Sequence, residues 1–321
     1  MNSIRLFMTR EATQYKPSHD LQFVLDNLPS VREVVRMEER RGLAVVTGAS
    51  SGMGRESARR LAEKGLDVIV AARRMDRLEE LASLHKNITP RGVDLSSPEE
   101  VAAFCEYLSG LSDPVSVLIN NAGYAVRGAL EDVPPEAVRR VFQVNLFSLI
   151  QVTQACLPAM RKKREGRIVN MSSMAGKFAF PMSGVYAATK HALEAVTDAL
   201  RLEVAPFGIK VVAIRPGFVA TEFNDAATRI TGDLMSKTDP DYKLLYQTSG
   251  AAVGKFFVNA KVPGPEAIAD LILEAALSEN PRMVYSGGVQ SQEMLGRRFQ
   301  LDDEGFHRLM GELTGLGALK A

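Results

Sequence analysis

The chain has 321 residues, of which 46% are hydrophobic, 24% charged and 7% aromatic, so it can bury a sizeable core and is unlike disordered, collagen-like or coiled-coil sequences. Its 39 Lys and Arg residues nearly balance 38 Asp and Glu residues, and this balance argues against a nucleic-acid partner. Cys105 and Cys156 are not spaced as a metal-binding or redox pair, so we expect no metal and a reducing compartment, the cytoplasm. No apolar run reaches the roughly 18 residues of a membrane span.

Short β-branched runs alternate with amphipathic helical stretches from Leu43 onward. This alternation is typical of a parallel sheet covered by helices on both faces. Right-handed crossovers then predict an α/β fold with a doubly wound, mostly parallel sheet of the Rossmann type, in three layers. The predicted strands are 43–47, 68–72, 88–93 (the weakest), 115–119, 168–171, 210–214 and 283–285, and the predicted helices are 54–64, 136–163 and 185–207.

The predicted domain organisation is one catalytic domain over residues 42–290, with an extension at each end. Within it, residues 222–262 have no clean hydrophobic period and are predicted to form a lid over the site. The N-terminal extension, 1–41, is either a disordered or packing arm or a contact for a partner. The C-terminal extension, 291–321, is expected to cap the substrate site or to reach a partner.

The first predicted strand runs directly into a glycine-rich turn, where a helix begins. A Cβ atom there would block the backbone from approaching a pyrophosphate, and the start of the helix offers free N–H groups to an anion. The spacing is Gly-x-x-x-Gly-x-Gly, which at the first strand-to-helix turn of an α/β protein predicts a dinucleotide site. The candidate cofactor-binding residues of this turn are Gly48, Ser50, Ser51, Gly52, Met53 and Gly54.

Two arginines follow the second predicted strand, at the position where NAD-binding proteins usually carry an acidic residue. Here Ala72 is followed by Arg73 and Arg74, and a guanidinium can hold a ribose 2′-phosphate, which an acid would repel. We therefore predict NADP(H) as the preferred cofactor, with NAD(H) second. The alternative is that the two arginines only begin a solvated helix over residues 75–84.

Four further motifs follow the glycine turn in order. They are Asn120-Asn121-Ala122-Gly123, Ser173, Tyr186-x-x-x-Lys190 and Pro216-Gly217. With these motifs the chain resembles a short-chain dehydrogenase/reductase of the classical type, closely over residues 42–220 and loosely over 221–290. The resemblance implies a Rossmann-type fold and a nicotinamide-dependent oxidoreductase.

Tyr186 is the candidate proton donor. Carbonyl reduction needs a donor beside the carbonyl oxygen, and a free tyrosine, with a pKa near 10, titrates about three units too high. A lysine ammonium and the nicotinium charge nearby favour the tyrosinate, and Tyr186 and Lys190 share one helix face at i and i+4. From spacing alone an ordinary surface pair is the alternative. The resemblance implies that Tyr186 is the acid/base and that Lys190 tunes it and grips the cofactor ribose.

Two more residues complete the candidate catalytic set. Ser173 ends a predicted strand, where its hydroxyl would hold the substrate oxygen and share its developing charge. Asn145 sits in an apolar helical stretch, although asparagine is a mediocre helix former, and a satisfied core amide is the alternative explanation. The resemblance implies a helix distortion at Asn145 that binds a water and completes a proton relay through Lys190.

The resemblance also implies further contacts to the cofactor. Asp94 would meet the adenine amino group, with a solvated turn carboxylate as the alternative, the Val219 backbone would meet the nicotinamide carboxamide, and Thr221 would meet the pyrophosphate. The remaining candidates are Leu95, Asn121, Ala122, Gly123, Pro216 and Gly217.

Aromatic residues near the predicted lid favour a lipophilic substrate of steroid, retinoid, polyketide or lipid type. Phe180, Phe218 and Phe223 would surround this substrate beside Ser173 and Tyr186. The alternative is that the aromatic side chains only pack the lid or a subunit contact.

The predicted function is an NADP(H)-dependent oxidoreductase that interconverts a carbonyl and a secondary or primary alcohol. A catalytically silent NADP(H)-sensing binding protein on the same fold is the alternative, although it would have no chemical need for all four candidate catalytic residues. Helices 136–163 and 185–207 resemble those that pair in dimers of the family, which implies a homodimer or homotetramer.

Overall fold

The centre of the protein is a sheet of parallel strands. The strands are β1 (Leu43–Thr47), β2 (Asp67–Ala72), β3 (Ile88–Gly92), β4 (Val115–Asn120), β5 (Gly166–Met171), β6 (Ile209–Pro216) and β7 (Val284–Gly287). They lie in the order β3-β2-β1-β4-β5-β6-β7, and every neighbouring pair is parallel. This arrangement confirms the predicted doubly wound α/β fold.

Helices connect the strands. They are α1 (Gly52–Glu63), α2 (Met75–Leu84), α3 (Pro98–Ser109), α4 (Pro135–Phe142), α5 (Ser148–Lys163), α6 (Gly184–Val204), α7 (Pro240–Val258), α8 (Glu266–Leu277), α9 (Ser291–Gln300) and α10 (Asp303–Thr314). The predicted helix 136–163 is interrupted by a π-helical turn at Gln143–Phe147. Within the predicted lid, residues 240–258 form a helix that periodicity did not indicate.

The computed structural model describes residues 42–223, 234, 236, 238–258 and 261–319, without the side chains of 253–258. The predicted N-terminal extension, 1–41, lies outside the described residues, as do residues 224–233 of the predicted lid, so the predicted domain organisation stays a prediction. Among the described helices none is both long and apolar enough to cross a membrane. The described residues also contain no cluster of His, Cys, Asp or Glu that could hold a metal ion.

Alternation along each strand builds a core on both faces of the sheet. In β1, Ala44 and Val46 belong to one buried cluster, which also includes residues of α1, α2 and α8. Val45 belongs to a second cluster, with residues of α3, α5 and α6. Because side chains alternate between the faces of a strand, a run that is apolar at every position is what a sheet covered on both sides requires.

The carboxyl ends of the central strands place the candidate residues together. The strand order reverses between β1 and β4, and in open α/β sheets ligands bind at this switch point, beyond the carboxyl ends. The glycine turn follows β1, Asn121 follows β4, Ser173 follows β5 and Gly217 follows β6. The candidate site therefore lies at the carboxyl ends of the central strands.

A ladder of buried polar side chains fixes the ends of β4 and β5 to the helices beside them. The Asn120 amide donates to Thr153 of α5 (3.0 Å) and to Asn170 (2.9 Å). Asn170 in turn donates to Thr197 of α6 (2.9 Å). Buried polar groups of this kind hold one register, since a shifted register would leave them unpaired.

Arg167, in β5, closes the carboxyl end of α8. Its guanidinium is buried and donates to the carbonyl oxygens of Ala275 (2.6 Å) and Ser278 (2.8 Å). Carbonyls at a helix end have no partner within the helix and carry the negative end of its dipole. Arg167 therefore joins α8 to the sheet through charge-assisted hydrogen bonds.

Replacing Arg167 with Met should lower the free energy of unfolding by about 1.5–3 kcal/mol, because the buried carbonyls of Ala275 and Ser278 lose a charged donor. Urea denaturation would measure the loss. Arg139→Met, at an exposed arginine near the end of α4, is the matched control and should change stability little. Equal stability of the two variants would contradict the proposed helix-closing role.

Candidate active site

The glycine turn between β1 and α1 has a backbone that side chains would obstruct. Gly48 has a φ of +67°, in the left-handed region that favours glycine, and a Cβ on it would lie 2.8 Å from the Cα of Ala122. A Cβ on Gly54 would overlap the side chain of Asn121 and approach the Gly48 carbonyl oxygen to 2.6 Å. These two glycines therefore let the turn pack closely against the loop after β4. The Ser51 side chain makes no capping hydrogen bond at the start of α1, so the N–H groups of this first turn can receive an anion such as a dinucleotide pyrophosphate.

The loop after β4 is bound directly to this turn. The Asn121 side chain donates to the carbonyl oxygens of Thr47 (2.9 Å) and Gly48 (3.2 Å). The Thr47 hydroxyl accepts from the backbone N–H groups of Asn121 (3.0 Å) and Ala122 (3.1 Å). In this structure the Asn121 amide therefore holds the turn in shape.

Arg74 lies against the glycine turn. Its Nη2 donates to the hydroxyls of Ser50 (2.9 Å) and Ser51 (2.8 Å), and its Nη1 donates to the Glu222 carboxylate (2.7 Å). Arg77 also donates to Glu222 (2.5 Å), and these two arginines lower the pKa of Glu222 to about 2, with the hydrogen bond from Arg77 as the largest cause. Arg74 therefore contacts the glycine turn directly. It also stands immediately before α2, as in the alternative in which the two arginines only begin that helix.

A cavity of about 700 Å³ runs from the glycine turn past β2 to the end of β3. Arg73 is exposed and lines it. Burial would raise the pKa of Asp94, but hydrogen bonds from the backbone and hydroxyl of Ser96 hold it below its usual value. The predicted residues that line this cavity are Gly48, Ser50, Ser51, Arg73, Arg74, Asp94, Leu95, Ala122 and Gly123.

Tyr186, Ser173 and Lys190 converge beside the cavities. The Tyr186 phenol and Ser173 line the same cavity, and the Lys190 Nζ lies 5.8 Å from the centre of the Tyr186 ring. Lys190 donates to the carbonyl oxygen of Met171 (2.7 Å) at the end of β5. Tyr186 and Lys190 are both buried on α6, so the two groups share one helix face as the spacing predicted.

Burial controls the protonation of this group. It raises the pKa of Tyr186, and the hydrogen bond with Ser173 and the charge of Arg127 only partly oppose the rise. It also lowers the pKa of Lys190 to about 8, against the charge of Glu194. Desolvation of the phenol is the largest contribution to the raised pKa of Tyr186.

A buried ion-pair network lies behind Lys190. Glu194, one turn further along α6, accepts two hydrogen bonds from Arg215 (2.9 and 2.6 Å). It also forms an ion pair with Lys177 (3.2 Å). Burial would raise the pKa of Glu194, but the hydrogen bonds from Arg215 and the charges of Arg215 and Lys177 keep it lowered. The network ties α6 to β6 and to the segment after Ser173.

Asn145 lies in the π-helical turn and is fully buried. Its side chain pairs with both backbone groups of Tyr124, accepting from the N–H (3.1 Å) and donating to the carbonyl (3.0 Å), and it also donates to Thr189 of α6 (3.1 Å). A Cβ on Gly123 would lie 3.1 Å from Asn145 Oδ1 and 3.7 Å from Lys190 Nζ. The structure thus contains the expected helix distortion beside Lys190.

A second cavity, of about 420 Å³, opens beside Tyr186. Its walls are mostly apolar, and Phe223 packs edge-on against the Tyr186 ring with the ring centres 5.8 Å apart. The predicted residues that line it are Met53, Asn121, Gly123, Ser173, Phe180, Tyr186, Lys190, Pro216, Gly217, Phe218, Val219, Thr221 and Phe223. Gly54 and Asn145 line neither cavity and are buried.

A third space, of about 430 Å³, lies between these two cavities and shares lining residues with both. It is lined by Gly52, Met53 and Thr221 together with the arginines after β2. A Cβ on Gly52 would lie 3.4 Å from Thr221 Cγ2, so the chain after β6 lies directly against the glycine turn.

The C-terminal helices support one wall of the second cavity. Phe306 of α10 packs edge-on against Phe178, and Phe178 packs against Phe180, with ring centres 5.3 and 5.2 Å apart. Residues of α9 and α10 belong to the same buried cluster. The C-terminal segment therefore packs beside the cavity, and its predicted role, to cap the substrate site or to reach a partner, stays a prediction.

Sequence reasoning missed three charged residues of the site. Arg127 lines the cavity beside Tyr186, and Arg77 and Glu222 lie beside the glycine turn. Arg77 is one helical turn after Arg74, which was an available signal. Glu222 and Arg127 carried no spacing signal, since their positions depend on the loops after β6 and β4.

The comparisons with known proteins agree with this arrangement. The family model described as short chain dehydrogenase matches residues 42–230. The uncharacterized oxidoreductase YbbO of Escherichia coli strain K12 is 37% identical over 242 residues, which cover 75% of this chain and 83% of that protein.

Two solved structures are also similar. A short-chain dehydrogenase from Streptomyces avermitilis has a TM-score of 0.70 and 27% identity, over 88% of this chain and 99% of that one. A short-chain dehydrogenase from Sphingobium yanoikuyae in complex with NADPH has a TM-score of 0.56 and 31% identity, over 58% of this chain and 75% of that one. Because the family model spans more than half of the sequence and the fold agrees, this chain belongs to the short-chain dehydrogenase/reductase family of nicotinamide-dependent oxidoreductases.

Proposed function

We propose that the protein is an NADP(H)-dependent oxidoreductase that interconverts a carbonyl and an alcohol on a lipophilic small molecule, with Tyr186 as the acid/base. The observation that carries this proposal is the convergence of Ser173, Tyr186 and Lys190 on an apolar cavity that adjoins the glycine turn. A buried titratable pair in such a cleft is typical of a catalytic site.

The residues around the glycine turn fit an NADP(H) molecule. The N–H groups at the start of α1 suit a pyrophosphate, since the Ser51 side chain does not cap them, and Thr221 lies against the same turn. Arg73 and Arg74 provide donors suited to the ribose 2′-phosphate. The NADPH bound to the Sphingobium yanoikuyae relative supports the same preference.

The cavity beside Tyr186 supports a lipophilic substrate. Phe180, Phe218 and Phe223 form much of its lining, and its volume of about 420 Å³ suits a drug-sized apolar molecule. Ser173 and Tyr186 are the polar groups that would orient the reacting oxygen. The cytoplasmic location and the homodimer or homotetramer expected from the sequence remain predictions.

In the proposed reduction, the Tyr186 Oη donates its proton to the substrate carbonyl oxygen, and the bound nicotinamide supplies the hydride. The raised pKa of Tyr186 keeps the phenol protonated at neutral pH, which is the form that reduction needs. The Ser173 hydroxyl, which lines the same cavity as the phenol, holds the same oxygen and shares its developing charge. Oxidation would run the proton step in reverse.

Lys190 and Asn145 support this proton transfer. The Lys190 ammonium lies near the Tyr186 ring and stabilises the tyrosinate that forms when the proton leaves. Asn145 holds Tyr124 and Thr189 around the π-helical turn, and this turn would hold the water of a relay that returns a proton to Tyr186 through Lys190. Π-helical turns of this kind are frequent at functional sites.

Replacing Tyr186 with Phe should lower kcat by about 100- to 10,000-fold, because the general acid is removed, while the Kd for NADPH changes less than about 3-fold. NADPH oxidation at 340 nm with a panel of lipophilic ketones and aldehydes, and fluorescence titration, would measure both. Tyr107→Phe, in α3 beside Phe104, is the matched control. Full activity of Tyr186→Phe would rule out the proposed acid, and NADPH binding by the native protein without turnover of any panel member would favour the cofactor-sensing binding protein.

Replacing Arg73 with Ala should weaken the binding of NADPH by about 1.5–3 kcal/mol, the value of a hydrogen bond to a charged group. It should weaken the binding of NADH much less. Calorimetric titration with each cofactor would measure the difference. Arg297→Ala, at an exposed arginine paired with Glu293 on α9, is the control and should affect neither cofactor. Equal losses for NADPH and NADH would rule out the phosphate assignment.

The kcat/KM for NADPH should fall as the pH rises through about 8, because this parameter reports the free enzyme and Lys190 loses its charge there. Below that pH the ammonium is present and the phenol stays protonated, so the profile should be level down to the range where other groups titrate. Lys190→Arg keeps the cation and should move the alkaline limb to higher pH. A native profile that is level to pH 10 would contradict the role of Lys190.

A further inference from the structure

Glu222 is an acidic residue at the position where a cofactor phosphate is expected to bind. Its two carboxylate oxygens accept from Arg74 (2.7 Å) and Arg77 (2.5 Å). It follows Thr221 directly and begins the predicted lid. A carboxylate beside these arginines repels the phosphate that they are proposed to bind, so Glu222 opposes the binding of NADP(H).

The arginine that Glu222 engages is already oriented by the glycine turn. Ser50 and Ser51 accept from Arg74, so the guanidinium is fixed beside the turn and has one terminal nitrogen directed to Glu222. Glu222, Arg73, Arg74 and Gly48 all line one space. The carboxylate therefore occupies donors that a ribose 2′-phosphate at this turn would use.

We propose that Glu222 is an internal competitor of the ribose 2′-phosphate, so that NADP(H) must displace its carboxylate from Arg74 and Arg77 whereas NAD(H) leaves both ion pairs intact. The proposal rests on the proposed binding of NADP(H) at Arg73 and Arg74. Glu222 is thus a specificity-determining residue that limits the preference for NADP(H) over NAD(H).

The charges and exposure of these groups set the size of the effect. A carboxylate and a phosphate repel each other at short distance, so both anions cannot share the Arg74 guanidinium without cost. The side chains of Glu222, Arg74 and Arg77 are 48%, 40% and 38% exposed, and exposed ion pairs are weak. The lowered pKa of Glu222, about 2, keeps the carboxylate charged near neutral pH. The competition is therefore modest, and it varies with pH through the second ionisation of the 2′-phosphate, which has a pKa of about 6.

The test compares the Kd values of NADPH and NADH for the native protein, Glu222→Gln and Glu79→Gln, measured calorimetrically at low salt. Glu222→Gln should bind NADPH about 3- to 10-fold more tightly, the range expected for two exposed ion pairs, and NADH within about 2-fold. Glu79 is exposed on α2, the helix of Arg77, and takes part in neither ion pair. Glu79→Gln therefore removes a nearby charge without breaking either ion pair of Glu222. It should leave the Kd values of NADPH and NADH within about 2-fold of those of the native protein.

Two further measurements separate this inference from the proposed function. The NADPH gain of Glu222→Gln should shrink at about 0.5 M NaCl, because salt screens exposed charges, and 2′,5′-ADP should show the same gain while 5′-AMP does not. Unchanged or weaker NADPH binding by Glu222→Gln would overturn the inference. If instead Arg74→Ala weakens NADPH and NADH binding equally, the phosphate assignment at Arg74 fails, and the inference fails with it. A selective loss of NADPH binding in Arg74→Ala together with unchanged NADPH binding in Glu222→Gln would overturn the inference and leave the proposed function intact.

Discussion

The hydrogen bonds between Asn121 and the glycine turn are the contact on which the rest of the site depends. They join the loop after β4 to the loop after β1, across the point where the strand order reverses. Two residues further on, Gly123 lies against Asn145 and Lys190. One short segment thus sets the distance between the glycine turn and the group formed by Asn145 and Lys190. A Cβ on Gly48 or Gly54 would push this segment away from the turn.

Burial of charged and titratable groups is the second constraint. Tyr186 and Lys190 are both removed from water, which favours their neutral forms. The neutral phenol is the proton donor that the proposed reduction requires. Glu194 balances the burial of the lysine, and it is itself held by Arg215 and Lys177. Since an unpaired buried charge is costly, the ion-pair network keeps Lys190 partly charged near neutrality and fixes α6 against the sheet.

Three consecutive residues at the start of the predicted lid contact three parts of the site. Thr221 lies against the glycine turn, Glu222 binds the arginines, and Phe223 packs on Tyr186. The same segment therefore reaches the proposed pyrophosphate position, the proposed 2′-phosphate position and the proposed acid. One stretch of chain thus contacts both the glycine turn and the cavity beside Tyr186.

Local patterns determined the elements and the motif positions. Short β-branched runs predicted the strands, with β3 as the weakest, and the glycine spacing after β1 predicted the dinucleotide site, because both depend on backbone geometry within a few residues. The roles of Tyr186 and Lys190 came from the family resemblance, since their spacing alone also fits an ordinary surface pair. The helix α3 was missed although Ser97, Pro98 and Glu100 carry a start signal, with the Ser97 hydroxyl accepting from the Glu100 N–H. Tertiary structure alone decided that Glu222 reaches Arg74, 148 positions away in the chain, that Arg127 lies beside Tyr186, and that Lys190 has a pKa of about 8. These properties arise from desolvation and from contacts between distant segments, which no local spacing encodes.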